Sequence, residues 1–128
     1  MRLLLDTHAI MWWWLDDASL PLSTRGIIGD RSNEIFVSSV TGLEIAIKVR
    51  IGKLPTMAEA IHRYDILVRE WGFVHLDVTQ SHAVSAGLLV GDHRDLFDRL
   101  IAAQAISESM TIVTRDPEFA GFGCEVIW

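Results

Sequence analysis

Four carboxylates stand where predicted strands give way to predicted helices. Asp6 ends the run Leu3-Leu4-Leu5, and Glu44 follows Ile35-Phe36-Val37-Ser38-Ser39. Asp98 falls in the first turn of a helix read over Leu96–Ser107, and Asp116 closes Thr111-Ile112-Val113-Thr114. Strand ends on one edge of a parallel sheet converge, so the four acids are expected to share a pocket. Unpaired carboxylates held together repel strongly at neutral pH, and no lysine is expected to pair with them. A hard divalent cation would relieve that repulsion. Ligation by oxygen alone suits Mg²⁺ or Mn²⁺, whereas zinc favours histidine or cysteine. The five histidines, at 8, 62, 75, 82 and 93, show no zinc-motif spacing. His8 is the one expected to approach the acids.

Each acid also has a structural explanation. Asp6 precedes a helix and fits an N-cap. Thr41-Gly42-Leu43-Glu44 fits a capping box in which Glu44 reaches back to its cap residue. Asp95 fits the cap of the helix that Asp98 favours by lying near its positive end. Asp116-Pro117 reads as a cap followed by proline at the first helical position. Capping does not explain why one edge collects an acid at almost every turn. Thr7 and Thr114 adjoin two of the acids and are expected to orient ligands or waters. Arg94, Arg99 and Arg115 flank Asp95, Asp98 and Asp116. Salt bridges are their default role, and contact with a substrate phosphate is the alternative.

The elements that must position these residues alternate between short β-rich runs and longer helical patterns, the sign of an α/β fold on a parallel sheet. Strands are read at Leu3–Asp6, Ile35–Ser38, Phe73–Leu76, Thr111–Thr114 and Glu125–Ile127. Helices are read at His8–Leu15, Val40–Ile51, Met57–Trp71, Gln80–Leu89 and Leu96–Ser107. Right-handed crossovers place the helices on both faces, giving a three-layer α/β/α sandwich with a parallel sheet of about five strands. Trp12-Trp13-Trp14 cannot all face one core, because successive helical positions point about 100° apart. At least one is expected to be exposed or in an interface.

At 128 residues the chain is read as a single domain spanning 1–128, with half its residues apolar and 22% charged, which argues against disorder. A single cysteine, Cys124, excludes an internal disulfide. With no membrane-length apolar run and no signal peptide ahead of the first strand, a cytoplasmic protein without a membrane partner is expected. A net charge of −6 speaks against a general nucleic-acid coating protein but not against an enzyme that holds nucleic acid through metal ions. Phosphate-binding glycine loops and the Gly-x-Ser-x-Gly elbow are absent.

Four ordered blocks carry a resemblance over the whole chain. Leu4-Leu5-Asp6-Thr7-His8 followed by Trp12-Trp13-Trp14-Leu15 resembles the start of a PIN-domain protein of the VapC-like toxin group. Ser39-Val40-Thr41-Gly42-Leu43-Glu44-Ile45 resembles the second block. The segment His93-Arg94-Asp95-Leu96-Phe97-Asp98-Arg99-Leu100-Ile101-Ala102-Ala103-Gln104-Ala105 resembles the third, and Val113-Thr114-Arg115-Asp116 the fourth. Leu96 departs from the proline of the third block, which bears on the helix start. The resemblance implies a metal-dependent endoribonuclease, the toxin of a type II toxin–antitoxin pair. It implies a homodimer inhibited by a small antitoxin protein. Carried onto this sequence, the catalytic, metal-binding acids are Asp6, Glu44, Asp98 and Asp116, with Asp95 auxiliary, and the reaction is attack of metal-activated water on an RNA phosphodiester. The rival readings are a non-catalytic PIN-like protein-interaction module working through its Trp-rich helix, and a metal-dependent phosphohydrolase or phosphoacceptor. The latter needs a lysine near a late strand, where Lys48 and Lys53 do not fall.

Overall fold

The computed structural model describes residues 1–92 and 94–128, so His93 lies outside the described residues. Five strands, β1 (Arg2–Leu5), β2 (Glu34–Ser38), β3 (Val74–Leu76), β4 (Thr111–Val113) and β5 (Val126–Ile127), form one sheet in the order β3-β2-β1-β4-β5. Every pairing is parallel, and β1 in the centre sets Leu5 against Val37 on one side and Val113 on the other. The chain winds outward from β1 in one direction to β3, then returns to the other side of β1 for β4. The strand order therefore reverses between β1 and β4, the place where α/β sheets open a crevice at their carboxyl ends.

Side-chain alternation along β1 divides the core. Leu3 and Leu5 pack with Ile35, Val37 and Val113 under helices α1 (Thr7–Trp14), α2 (Leu22–Gly29) and α4 (Tyr64–Glu70), which contribute Ile10, Ile28 and Val68. Leu4 packs on the opposite face with Phe36, Ile112 and Val40, the last from α3 (Ser39–Arg50). Ile101, Ala102 and Ala105 of α6 (Leu96–Ser107) and Phe119 of α7 (Glu118–Gly121) close that face. Helix α5 (Gln80–Leu88) lies against α6. The three-layer sandwich on a five-stranded parallel sheet is as the sequence predicts.

Two local expectations are corrected. Helix α2 was not foreseen: its sequence, Leu-Ser-Thr-Arg-Gly-Ile-Ile-Gly, carries two helix-weakening glycines and no side-chain cap. Tertiary contact forms it, through buried Thr24 and Ile28 and through Arg25, which donates to the Trp12 and Asp17 carbonyls. The continuous helix read over Met57–Trp71 instead opens as two 3₁₀ turns, Pro55–Met57 and Ala60–Arg63, before α4. Their i→i+3 bonds, such as Met57 N–H to Leu54 and His62 N–H to Glu59, turn Met57 into the small cluster with Met11 and Ile45. The three tryptophans are each half-buried, and each finds its own aromatic partner: Trp12 meets Trp128, Trp13 meets Trp71 and Phe73, and Trp14 meets Tyr64.

Candidate active site

Asp6 is the first residue past the central strand. Its N–H still donates to the Val113 carbonyl of β4, and its side chain caps α1 by accepting from the Ala9 N–H at 2.7 Å. The other oxygen accepts from the Thr114 hydroxyl at 2.5 Å. That same hydroxyl oxygen accepts the Asp116 N–H at 3.0 Å, so Thr114 straps the ends of β1 and β4 together. Asp6 is only 5% exposed, and burial raises its carboxyl above the usual carboxylate range. The Thr114 and Ala9 hydrogen bonds and the nearby His8 offset part of that rise, and Asp116 adds to it.

Asp6, His8, Trp12, Arg115, Asp116 and Pro117 line one cavity of about 300 Å³ at the switch point. His8 is exposed at its rim and sits 5.4 Å from the Trp12 ring, as the sequence suggested for this histidine. The Arg115 guanidinium lies 4.4 Å over the same ring, a cation–π contact. Asp116 accepts the Glu118 N–H at 3.0 Å, so it does act at the start of α7, although Pro117 rather than Asp116 is the formal cap.

Glu44 is not the reciprocal member of a capping box. Helix α3 begins at Ser39, capped by the Ser38 hydroxyl, which leaves Thr41 and Glu44 inside it. Glu44 is buried and turns toward α1: one oxygen accepts from the Thr7 hydroxyl at 2.7 Å and the other from Lys48 Nζ at 2.6 Å. The Thr7 and Thr41 hydroxyls are 3.2 Å apart, completing a buried polar link between the two helices. The expectation that no lysine would pair with an acid is thus wrong for Glu44. The signal was present, since Lys48 follows Glu44 by the one-turn spacing that brings opposite charges together on a helix.

Asp98 is half-buried in the first turn of α6. Asp95 caps that helix, accepting from the N–H groups of Phe97 at 2.9 Å and Asp98 at 3.4 Å. Leu96 therefore occupies the first helical position without harm, as a proline would. Arg94 is exposed just before the helix. Arg99 donates to the Ala86 and Leu89 carbonyls at the end of α5 and lies over the Phe122 ring, a tether within the fold. Gln104, which sequence reasoning did not single out, is fully buried. It accepts from the Ser38 hydroxyl at 2.6 Å and donates to the Leu76 and Asp77 carbonyls, which fixes α6 to the ends of β2 and β3. A glutamine on the apolar side of a helix was the available signal, because a buried amide must find partners.

The structure thus brings Asp6 and Asp116 to one cavity and links Glu44 to them through Thr7, while Asp98 lies on a separate helix. Among the described residues no three His, Cys, Asp or Glu side chains stand as a metal-holding group. The chemistry of the site nonetheless fits a hard cation. Its acids offer oxygen donors only, and the oxygens of buried Asp6 are hydrogen-bonded by neutral donors alone, with His8 and the Asp116 carboxylate nearby.

A model of the PIN domain matches residues 3–123. Among curated proteins none matches the chain in sequence. Solved structures of similar fold include a chain of VapBC2 from Rickettsia felis bound to a DNA fragment from their promoter, with TM-score 0.72 and 19% identity over 99% of this chain and 98% of that one. VapBC-1 from nontypeable Haemophilus influenzae matches with TM-score 0.65 and 17% identity, covering 99% and 97% of the two chains. FitAcB from Neisseria gonorrhoeae matches with TM-score 0.63 and 22% identity, covering 98% and 96%.

Proposed function

The chain belongs to the PIN-domain family, and from that premise we propose that it is a Mg²⁺- or Mn²⁺-dependent endoribonuclease, the toxin of a type II toxin–antitoxin pair. PIN domains are generally nucleases and typically use divalent metals. The observation that carries the reading is buried Asp6 at the strand-order reversal, with Asp116 beside it and no cation among the groups that hydrogen-bond to its oxygens.

In this reading Asp6 and Asp116 hold the metal, Asp98 joins them from α6, and Glu44 contributes directly or through water. When bound, the ion supplies a water of lowered pKa and neutralises charge on the phosphate. Thr114 fixes the spacing of Asp6 and Asp116, Thr7 sets Glu44 relative to Asp6, and Asp95 holds the first turn of α6 in place. Arg115, exposed at the cavity mouth and backed by Trp12, meets a substrate phosphate. The aromatic wall of His8 and Trp12 beside it supports a single-stranded substrate whose unstacked bases have rings to meet. Arg94 is free by position to reach a phosphate further out. Arg99 is committed to the end of α5, so we assign it a tethering role.

The likeness in fold to chains of VapBC2, VapBC-1 and FitAcB supports a small antitoxin protein as partner, and the VapC-like resemblance implies a second copy of the chain. Helix α5 also turns Val84 and Leu88 outward at one-turn spacing, an exposed apolar pair suited to being covered. Among the described residues no helix is long and apolar enough to cross a membrane. We place the protein in the cytoplasm as a single nuclease domain. The non-catalytic alternative drew on an outward-facing tryptophan in α1, and the aromatic partners found for all three weaken it.

The test is cleavage of single-stranded RNA by the purified chain, free of any antitoxin, with Mn²⁺ or Mg²⁺. Cleavage that stops with excess EDTA and with Asp6→Asn supports the reading. Undiminished cleavage under either condition overturns it.

A further inference from the structure

Asp6 and Glu44 are buried to the same degree, both 5% exposed, and the Thr7 hydroxyl that follows Asp6 in sequence donates to Glu44. What faces them differs. Asp6 meets an amide and a hydroxyl, whereas Glu44 meets the ammonium of Lys48 at 2.6 Å. The Lys48 side chain is 35% exposed, so its charged end can leave Glu44 for water without dragging its stem from the core. A divalent ion brought toward Glu44 would meet a positive charge already in place, and two cations at one carboxylate repel. Occupancy by one must weaken the hold of the other, by the same factor in both directions.

We propose that Lys48 is a resident counter-cation: it holds Glu44 in place in the metal-free chain and opposes divalent-ion binding at the neighbouring acids. This is a positioning role, acting through Glu44, and it rests on the metal-dependent reading above. Isothermal titration of the metal-free full chain with Mn²⁺ at low salt tests it, alongside melting temperatures in EDTA and in Mn²⁺. Lys48→Met should bind Mn²⁺ roughly tenfold more tightly than wild type, melt lower in EDTA, and gain more from Mn²⁺. Lys48→Arg, which keeps the charge, should retain wild-type affinity. A purely structural lysine would lower stability without tightening metal binding. Unchanged or weaker Mn²⁺ binding by folded Lys48→Met overturns the proposal. If that variant does not fold in EDTA, a cooperative melt regained on adding Mn²⁺ supports the proposal, and failure to regain it overturns it. Asp6→Asn should lose Mn²⁺ binding whatever residue is at position 48. Wild-type affinity in Asp6→Asn would overturn the site reading itself, and Lys48's role with it.

Discussion

Asp6 and Glu44 make an informative pair, because they share burial and neighbourhood and differ in charge compensation. Glu44 sits in a closed circuit of Thr7, Thr41 and Lys48 on two helices. Asp6 sits in an open one, held by Ala9 and Thr114 and facing Asp116 across a cavity. Burial by itself therefore does not mark a cation site. The mark is a buried acid whose oxygens are oriented by neutral donors while a second acid stands beside it, because such geometry is stable in the fold yet electrostatically incomplete.

The largest expected effect that separates the two acids is on activity. Asp6→Asn should lower metal-dependent RNA cleavage by about a thousandfold or more, the loss expected when several kcal/mol of metal assistance disappears. The same substitution should raise the melting temperature in EDTA, since asparagine caps a helix as well as aspartate and carries no buried charge. A lower melting temperature would mean that Asp6 is compensated after all.

At Glu44 the expected sign reverses. Lys48→Met leaves a buried acid without its cation and should cost about 3 kcal/mol in metal-free stability, read by urea denaturation. A loss well under that would show that Thr7 and Thr41 suffice for Glu44. Both acids would then be equivalent and the contrast would fail.

Acidity sharpens the comparison further. The Asp6 pKa is raised from 3.8 by burial, so the folded chain binds a proton more tightly than the unfolded chain does. The stability from that proton is fully present below pH 3.8 and is lost as pH rises through the folded value. In EDTA, the advantage of Asp6→Asn over wild type should therefore grow with rising pH across that interval and then level off. A constant difference would remove Asp6's raised pKa from the explanation.

The smallest effects lie at the supports. Thr114→Val removes the strap between Asp6 and Asp116 and should cost about 1–2 kcal/mol, with weaker Mn²⁺ binding as its distinguishing readout. Asp95→Ala should cost about 1 kcal/mol through the lost cap, and its stability loss should be the same with and without Mn²⁺.

Much of this was legible in the residues. The apolar runs at Leu3–Leu5 and Ile112–Val113 imposed buried central strands, and Asp6 and Asp95 announced their helix starts because a short acid before an apolar helical stripe satisfies free N–H groups. Helix α2 was hidden because its own sequence disfavours a helix and only packing of Ile28 and Thr24 selects it. Glu44 was misread for a related reason: a capping-box pattern describes local bonding, and the true start at Ser39 depends on Ser38 ending β2.

The sequence by itself determined the α/β class, the parallel five-stranded sheet and the helix starts at Asp6 and Asp95, since periodicity and cap chemistry act over a few residues. Only the tertiary structure decided which acids meet and which oxygens are held by neutral donors alone. That depends on parallel registers such as Leu5 against Val113, which join residues more than a hundred positions apart, and on rotations that turn Glu44 toward Thr7 and Asp6 toward Thr114. The Glu44–Lys48 pair is written in its one-turn spacing, whereas the neutral company of Asp6's oxygens is a property of such distances that no local pattern encodes.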